Sequence, residues 1–206
     1  MPVPRSLVVV AAIVCVAVAT PVREPVAAQS TGTPVFAAPY RAFSTSEIAI
    51  SFSDPGSGYA LEGSYRVGFG SRIDGGIRAG FADAKGADGS LLLGVDGRAR
   101  VLDHSDAFPL DGSITFGFGL NATDGGTVGM VPIGFSMGRR ILVDGSNTSI
   151  VAYVQPVIAP LFGDADGADF TLGFGVDLRI STRLDLRFSG AIGDRDGIGF
   201  TVAFLR

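Results

Sequence analysis

The 206-residue chain carries 16 Lys and Arg against 20 Asp and Glu, for a net charge of −4, and only 17% of its residues are charged. A well-solvated surface needs roughly 25–35% charge, so an ordinary soluble coat is excluded, and an acidic balance with no basic stripe excludes nucleic acid as a partner. Lys85 is the only lysine and Cys15 the only cysteine, so neither a disulfide nor a Cys-based metal site can hold the fold together.

In chain order, Arg5 is followed by the apolar stretch Ser6–Val18 and then by small residues, the layout of a secretory signal. The apolar run is short of the roughly 20 residues that a spanning helix needs. Cleavage is expected after Ala28 (Val26-Ala27-Ala28) in preference to Ala19 (Ala17-Val18-Ala19). Cys15 lies within this signal and follows Val14, where a lipoprotein signal would want a small residue. Residues 29–45 carry Pro34 and Pro39 without any period and are expected to form a flexible lead-in.

From there to the C-terminus apolar residues alternate with polar residues or glycine. Ten strands are expected, over residues 46–53, 59–70, 72–82, 91–102, 110–121, 128–139, 148–160, 168–180, 183–192 and 197–205, with eight as the alternative. Connections alternate in character, with residues 103–109 and 140–147 the longer ones on the tight-turn side. Gly70-Ser71 and Ser181-Thr182 suit tight hairpin turns, while five loops rich in Gly and Asp fall at the opposite end. This arrangement requires an even strand number, with both chain ends on the side of the tight turns.

A period of two sends alternate side chains to opposite faces. One face carries Leu91, Leu93 and Val95, then Phe116, Phe118 and Leu120, then Phe170, Phe174 and Leu178, and finally Ile198, Phe200, Val202 and Phe204. Phe116 and Leu178 are expected at the middle of this apolar band. Over ten strands this is roughly fifty bulky side chains, too many for the interior of so small a barrel. The other face carries glycine together with Glu62, Arg66, Asp74, Arg78, Asp96, Arg98, Arg100, Asp111, Asp177, Arg179, Asp185 and Arg187. Buried charges persist when paired, and arginine binds carboxylates bidentately. These residues are expected to form a lumen charge network, with glycines giving room to the arginines. The fold class is therefore all-β: a closed antiparallel up-and-down transmembrane β-barrel, since backbone groups in hydrocarbon must all pair internally.

The signal, the alternation, the charged inner face and the Ile198/Phe200/Val202/Phe204 ending resemble small outer-membrane β-barrels of the OmpA membrane-domain and opacity type, over residues 46–206. The resemblance implies an outer-membrane location, periplasmic chain ends, lipid and lipopolysaccharide as surroundings, and recognition by the barrel-assembly machinery. The aromatic girdle is expected from Tyr40, Tyr59, Tyr65 and Tyr153, since tryptophan is absent.

Few residues offer chemistry. His104, within Asp103-His104-Ser105-Asp106, is the only histidine, and consecutive residues in a connection do not converge as catalysis requires. Gly117-Phe118-Gly119-Leu120-Asn121-Ala122 matches a dinucleotide fingerprint in letters but is followed by a turn instead of a helix. Asp164, Asp166 and Asp169, with Asp83, Asp88, Asp124, Asp194 and Asp196, make an acidic outer rim that could attract divalent cations. No catalytic residue, cofactor or metal ligand is expected. The leading expectation is a non-enzymatic structural or envelope barrel. The alternatives are a narrow pore for small solutes and a soluble secreted barrel that binds an apolar ligand inside.

Overall fold

The computed structural model describes residues 30–39, 45–56, 58–84, 89–146 and 148–206. The signal, both cleavage points, Tyr40, Lys85 and Asp88 lie outside the described residues. The strands are β1 (Glu47–Asp54), β2 (Gly58–Phe69), β3 (Ile73–Ala84), β4 (Ser90–Leu102), β5 (Asp111–Thr123), β6 (Gly126–Met130), β7 (Ile133–Leu142), β8 (Ser149–Gly163), β9 (Ala168–Arg179), β10 (Leu184–Gly193) and β11 (Gly197–Leu205). Each pairs antiparallel with its neighbours, and β1 pairs with β11 over Glu47↔Leu205 to Asp54↔Ile198, which closes the sheet. β6 and β7 together make one wall position, so the barrel has ten strands in up-and-down order.

The expected strand 128–139 is thus broken in two, and the cause is Pro132. Proline cannot donate to a ladder. The chain steps sideways there, and its neighbouring groups find other partners: the Val131 amide donates to Pro160 O at 3.0 Å and the Gly117 amide to Pro132 O at 2.9 Å. A second gap lies between β7 and β8. Pairing runs through Gly134↔Val157 and resumes at Met137↔Val154, skipping Phe135 and Ser136 opposite Pro156 and Gln155. Pro156 again lacks the amide hydrogen that this ladder would use.

We call the end where β1 starts and β11 stops the near end. Its connections 70–72 and 180–183 are the tight turns of the sequence reading, and Gly70 takes a φ of 79°, a left-handed conformation that suits glycine.

Alternation is visible in burial. Along β1, Glu47, Ala49, Ser51 and Ser53 are buried while Ile48, Ile50 and Phe52 are exposed. Phe118 and Phe174 stand 44% and 43% exposed, whereas Arg98 and Asp177 are 2% and 1% exposed, so the apolar face is outside and the charged face inside. Phe116 sits mid-strand in β5, but Leu178 is one residue from the end of β9, at the edge of the apolar band.

Outward glycines are roofed by aromatics from adjacent strands. The Phe116 ring covers Gly97, Phe174 covers Gly190 and Phe162 covers Gly129. Covering a glycine in this way restores side-chain contact where a strand would otherwise be bare. The girdle differs from expectation at one position. Tyr59 and Tyr65 face outward, and Tyr59 stacks on Phe52 with ring centroids 6.5 Å apart, but Tyr153 is 4% exposed and points into the lumen.

Candidate functional site

Among the described residues, the lumen gathers most of the buried polar side chains. All the residues named above as the lumen charge network face inward, and they fall into groups. Between β2, β3 and β4, Arg66 donates to Asp74 at 2.6 Å and also pairs with Asp96. Arg98 reaches the same Asp74 through Nε at 3.1 Å and through Nη2. Arg78 lies 3.6 Å from Glu62. Across the barrel, Arg179 Nε donates to Asp185 at 3.0 Å. Arg187 donates to Glu47 Oε1 at 2.8 Å and lies 3.7 Å from Asp177 and 3.6 Å from Asp185. In each group guanidinium and carboxylate exchange charge-assisted bonds that offset the removal of both from water.

Two members of the lattice escaped the sequence reading. Glu47 sits at an inward position of β1, so the period of two could have found it once that strand was fixed. Arg195 lies in the 194–196 connection yet is 0% exposed, folded inward onto Asp169 with Nε at 2.7 Å. It follows no strand alternation, and nothing local distinguishes it from a solvated loop arginine.

At the near end Arg100 donates to Asp111 at 2.7 Å and lies 2.7 Å from Asp103. His104 also joins Asp111, with its backbone amide and Nδ1 each 3.1 Å from the carboxylate. Its partner is therefore seven residues on, while Ser105 Oγ accepts the Phe108 amide. Asp103, on the exposed rim, takes a hydrogen bond from Arg72 that holds its carboxyl below the usual carboxylate range, with Arg100 adding to the effect. Such a group stabilises the fold above its unfolded pKa, about 3.9, and the contribution is lost as pH falls through the lower folded value. The 103–110 connection is expected to keep its amide protection down to pH about 4 and to loosen below that. Hydrogen exchange measured against pH checks this, and protection unchanged at pH 2 would remove the clasp from the account.

Three far-end aspartates accept backbone amides, two from a neighbouring strand and one from its own turn. Asp164 accepts the Thr127 amide at 2.6 Å, Asp194 the Phe170 amide at 2.8 Å and Asp54 the Gly56 amide at 2.9 Å. Among the described residues no three potential ligands converge on a cation position. The fingerprint-like stretch Gly117–Ala122 lies wholly within β5.

The lumen also holds residues 30–39. Read as lead-in from the sequence, this segment is instead buried along almost its whole length, with Ser30, Thr31, Thr33, Val35, Phe36 and Ala38 each at most 4% exposed. It belongs to no strand. Gly32, at a φ of 88°, lets residues 30–34 turn back so that Thr31 and Thr33 both donate to Glu62, each at 2.5 Å. Pro34 lies by Gly197 and Gly199 near the far end, and its carbonyl accepts from Ser189 at 2.6 Å. The chain then descends. Phe36 packs with Val151, Tyr153, Val157 and Ala191, and the Ala38 carbonyl accepts from Arg98. Burying Phe36 alone contributes about 1.5–3 kcal/mol.

Ala37 meets the wall at its gap. Its carbonyl accepts from Ser136 Oγ at 2.8 Å and its amide donates to Gln155 Oε1 at 3.4 Å, and these are the two facing inward residues that do not pair with each other across β7 and β8. The segment also explains several inward glycines, all of which the sequence reading gave to crowding by arginines, whereas Gly76 does lie against Arg66. A Cβ on Gly119 would overlap the Ser30 carbonyl, one on Gly94 would lie 2.6 Å from Ser30 Oγ, and one on Gly173 would strike the Phe36 ring. One small cavity beside the segment, of about 20 Å³, is lined by Ser30, Asp96, Arg98, Thr115 and Gln155 among others. That is room for about one water molecule.

No family profile and no curated protein matches the chain. Solved structures similar to it include the β-domain of the Bordetella autotransporter BrkA, at 15% identity and a TM-score of 0.48, over 79% of this chain and 98% of that one. The N-terminal β-barrel domain of Pseudomonas aeruginosa OprF is similar at 11% identity and a TM-score of 0.38, over 79% and 98%. A de novo designed transmembrane β-barrel is similar at 10% identity and a TM-score of 0.41, over 81% and 98%. The architecture of this chain rests on its own pairing: a closed sheet with an apolar exterior and a salt-bridged interior has the polarity of a barrel that spans a bilayer.

Proposed function

We propose that the chain is an integral outer-membrane β-barrel, non-enzymatic, with a structural or envelope role and a lumen closed at rest. The observation that carries this reading is the occupied interior: paired charges line it and residues 30–39 run through it, hydrogen-bonded to the wall. The near end faces the periplasm in this reading, because both ends of the sheet lie there, together with the short connections 70–72 and 180–183. Outer-membrane lipid and lipopolysaccharide surround it, the barrel-assembly machinery inserts it, and its kin are barrels of the OmpA membrane-domain type. A carrier of apolar ligands would need the opposite polarity, with Phe118 and Phe174 inside.

Purified and refolded, the full chain is expected to show heat-modifiable gel migration and no single-channel steps in a planar bilayer. Reproducible steps from the unmodified barrel would replace this reading with that of a constitutive pore.

A further inference from the structure

We infer that the lumen is a binding site for an uncharged peptide and that residues 30–39 are its resident, exchangeable ligand. The inference rests on the closed-barrel reading and names what does the closing. Three observations separate the segment from the wall that holds it.

First, apart from the gap that Ala37 bridges between β7 and β8, the wall closes and pairs its charges without it. The sheet closes through β1 and β11, and Arg66, Asp74, Asp96, Arg179, Asp185 and Arg187 pair among themselves or with Glu47. The segment, Ser30-Thr-Gly-Thr-Pro-Val-Phe-Ala-Ala-Pro39, carries no charged side chain, so its departure breaks none of those ion pairs.

Second, the wall is moulded to it. Gly94 on β4, Gly117 and Gly119 on β5, Gly173 on β9 and Gly199 on β11 are inward positions where a methyl group would press on Ser30, Pro34, Val35 or Phe36. A channel that merely needed a narrow bore would gain nothing from glycine at those places.

Third, the contacts are those of peptide recognition. Ser136, Gln155, Ser189 and Arg98 take the main-chain groups of Ala37, Pro34 and Ala38, and so read the backbone. Buried Glu62 accepts two hydroxyls spaced two residues apart, and the cluster of Val151, Tyr153, Val157 and Ala191 takes an aromatic ring three residues further on. The ligand class follows: a neutral peptide that turns at a glycine between two hydroxyl residues, with an aromatic three residues beyond the second and small residues around it.

The test uses the full chain and a synthetic peptide of residues 30–39, acetylated, amidated and fluorescently labelled. The double variant Thr31→Val/Thr33→Val loses both bonds to Glu62 while leaving the groove open. It is expected to conduct in planar bilayers, to bind the peptide saturably by fluorescence anisotropy in detergent, and to close as the peptide is added. Gly119→Val fills the groove where Ser30 lies. It too is expected to conduct, but to bind the peptide at least about tenfold more weakly and to stay open. Heat-modifiable migration verifies folding of both, and Gly173→Val, which strikes Phe36, replaces Gly119→Val if the latter does not insert.

Absence of saturable peptide binding by the double variant overturns the inference, as does binding that Gly119→Val and Gly173→Val leave unchanged. Conduction by the unmodified barrel would sink only the closed-barrel reading. The peptide titration judges the binding site by itself.

Discussion

Phe116→Arg is expected to lower the folding stability of the barrel in lipid by about 2–4 kcal/mol, the range for an arginine on the lipid face at the bilayer midplane. Phe116 is 51% exposed, sits mid-way along β5 and roofs Gly97 on β4. The substitution therefore places a charge in hydrocarbon and uncovers a bare stretch of the neighbouring strand. Leu142→Arg supplies the contrast. Leu142 is 65% exposed but ends β7 at the rim, where the same change costs about 0–1 kcal/mol because the guanidinium can reach the interface. Leu178, beside the end of β9, belongs with Leu142. Denaturant titration of the variants in lipid vesicles measures the difference, and equal stabilities for Phe116→Arg and Leu142→Arg would refute the depth assignment.

Asp74→Asn is expected to be at least as damaging, at about 3–5 kcal/mol. The Asp74 carboxylate is 3% exposed and serves two guanidinium groups, Arg66 at 2.6 Å and Arg98 at 3.1 Å. Neutralising it leaves two buried cations with one fewer counter-charge, and the penalty comes from that uncompensated charge more than from any bond lost. Asp103→Asn removes a carboxylate from a solvated pair with Arg72 and is expected to have little effect, because exposed ion pairs contribute little. The same vesicle titration decides, and comparable stabilities for the two variants would mean that the lattice is wet.

Much of this was legible in the sequence because a strand exposed to two different solvents writes its environment into every second residue. Along β2 the outward set Tyr59, Leu61, Gly63, Tyr65 and the inward set Glu62, Ser64, Arg66 could be read off directly, and so could the carboxylate–arginine composition of the interior. The particular partners could not. Which arginine meets which carboxylate depends on the stagger between strands, and the alternation fixes the face of a residue without fixing its height. Arg195 illustrates the limit, because a loop that folds back inward carries no period. The split of β6 from β7 was foreshadowed by Pro132, yet a proline in a strand announces a break without saying that the chain will resume beyond it. Residues 30–39 were the largest surprise. Their composition is that of an unstructured linker, and they are ordered by the cavity around them instead of by any preference of their own. The clue lay elsewhere, in the inward glycines at 94, 117, 119 and 173, whose common cause becomes visible only when the strands are brought around one axis.

The proline-induced gap beside Ser136 and Gln155 has a mechanical consequence. Hoop strength in a cylinder is set by its poorest seam, and at this level the circumference is joined through the Ala37 peptide group in place of a direct ladder bond. Under lateral tension from the surrounding bilayer, the cylinder should part first between β7 and β8, and more readily whenever that borrowed rivet is missing.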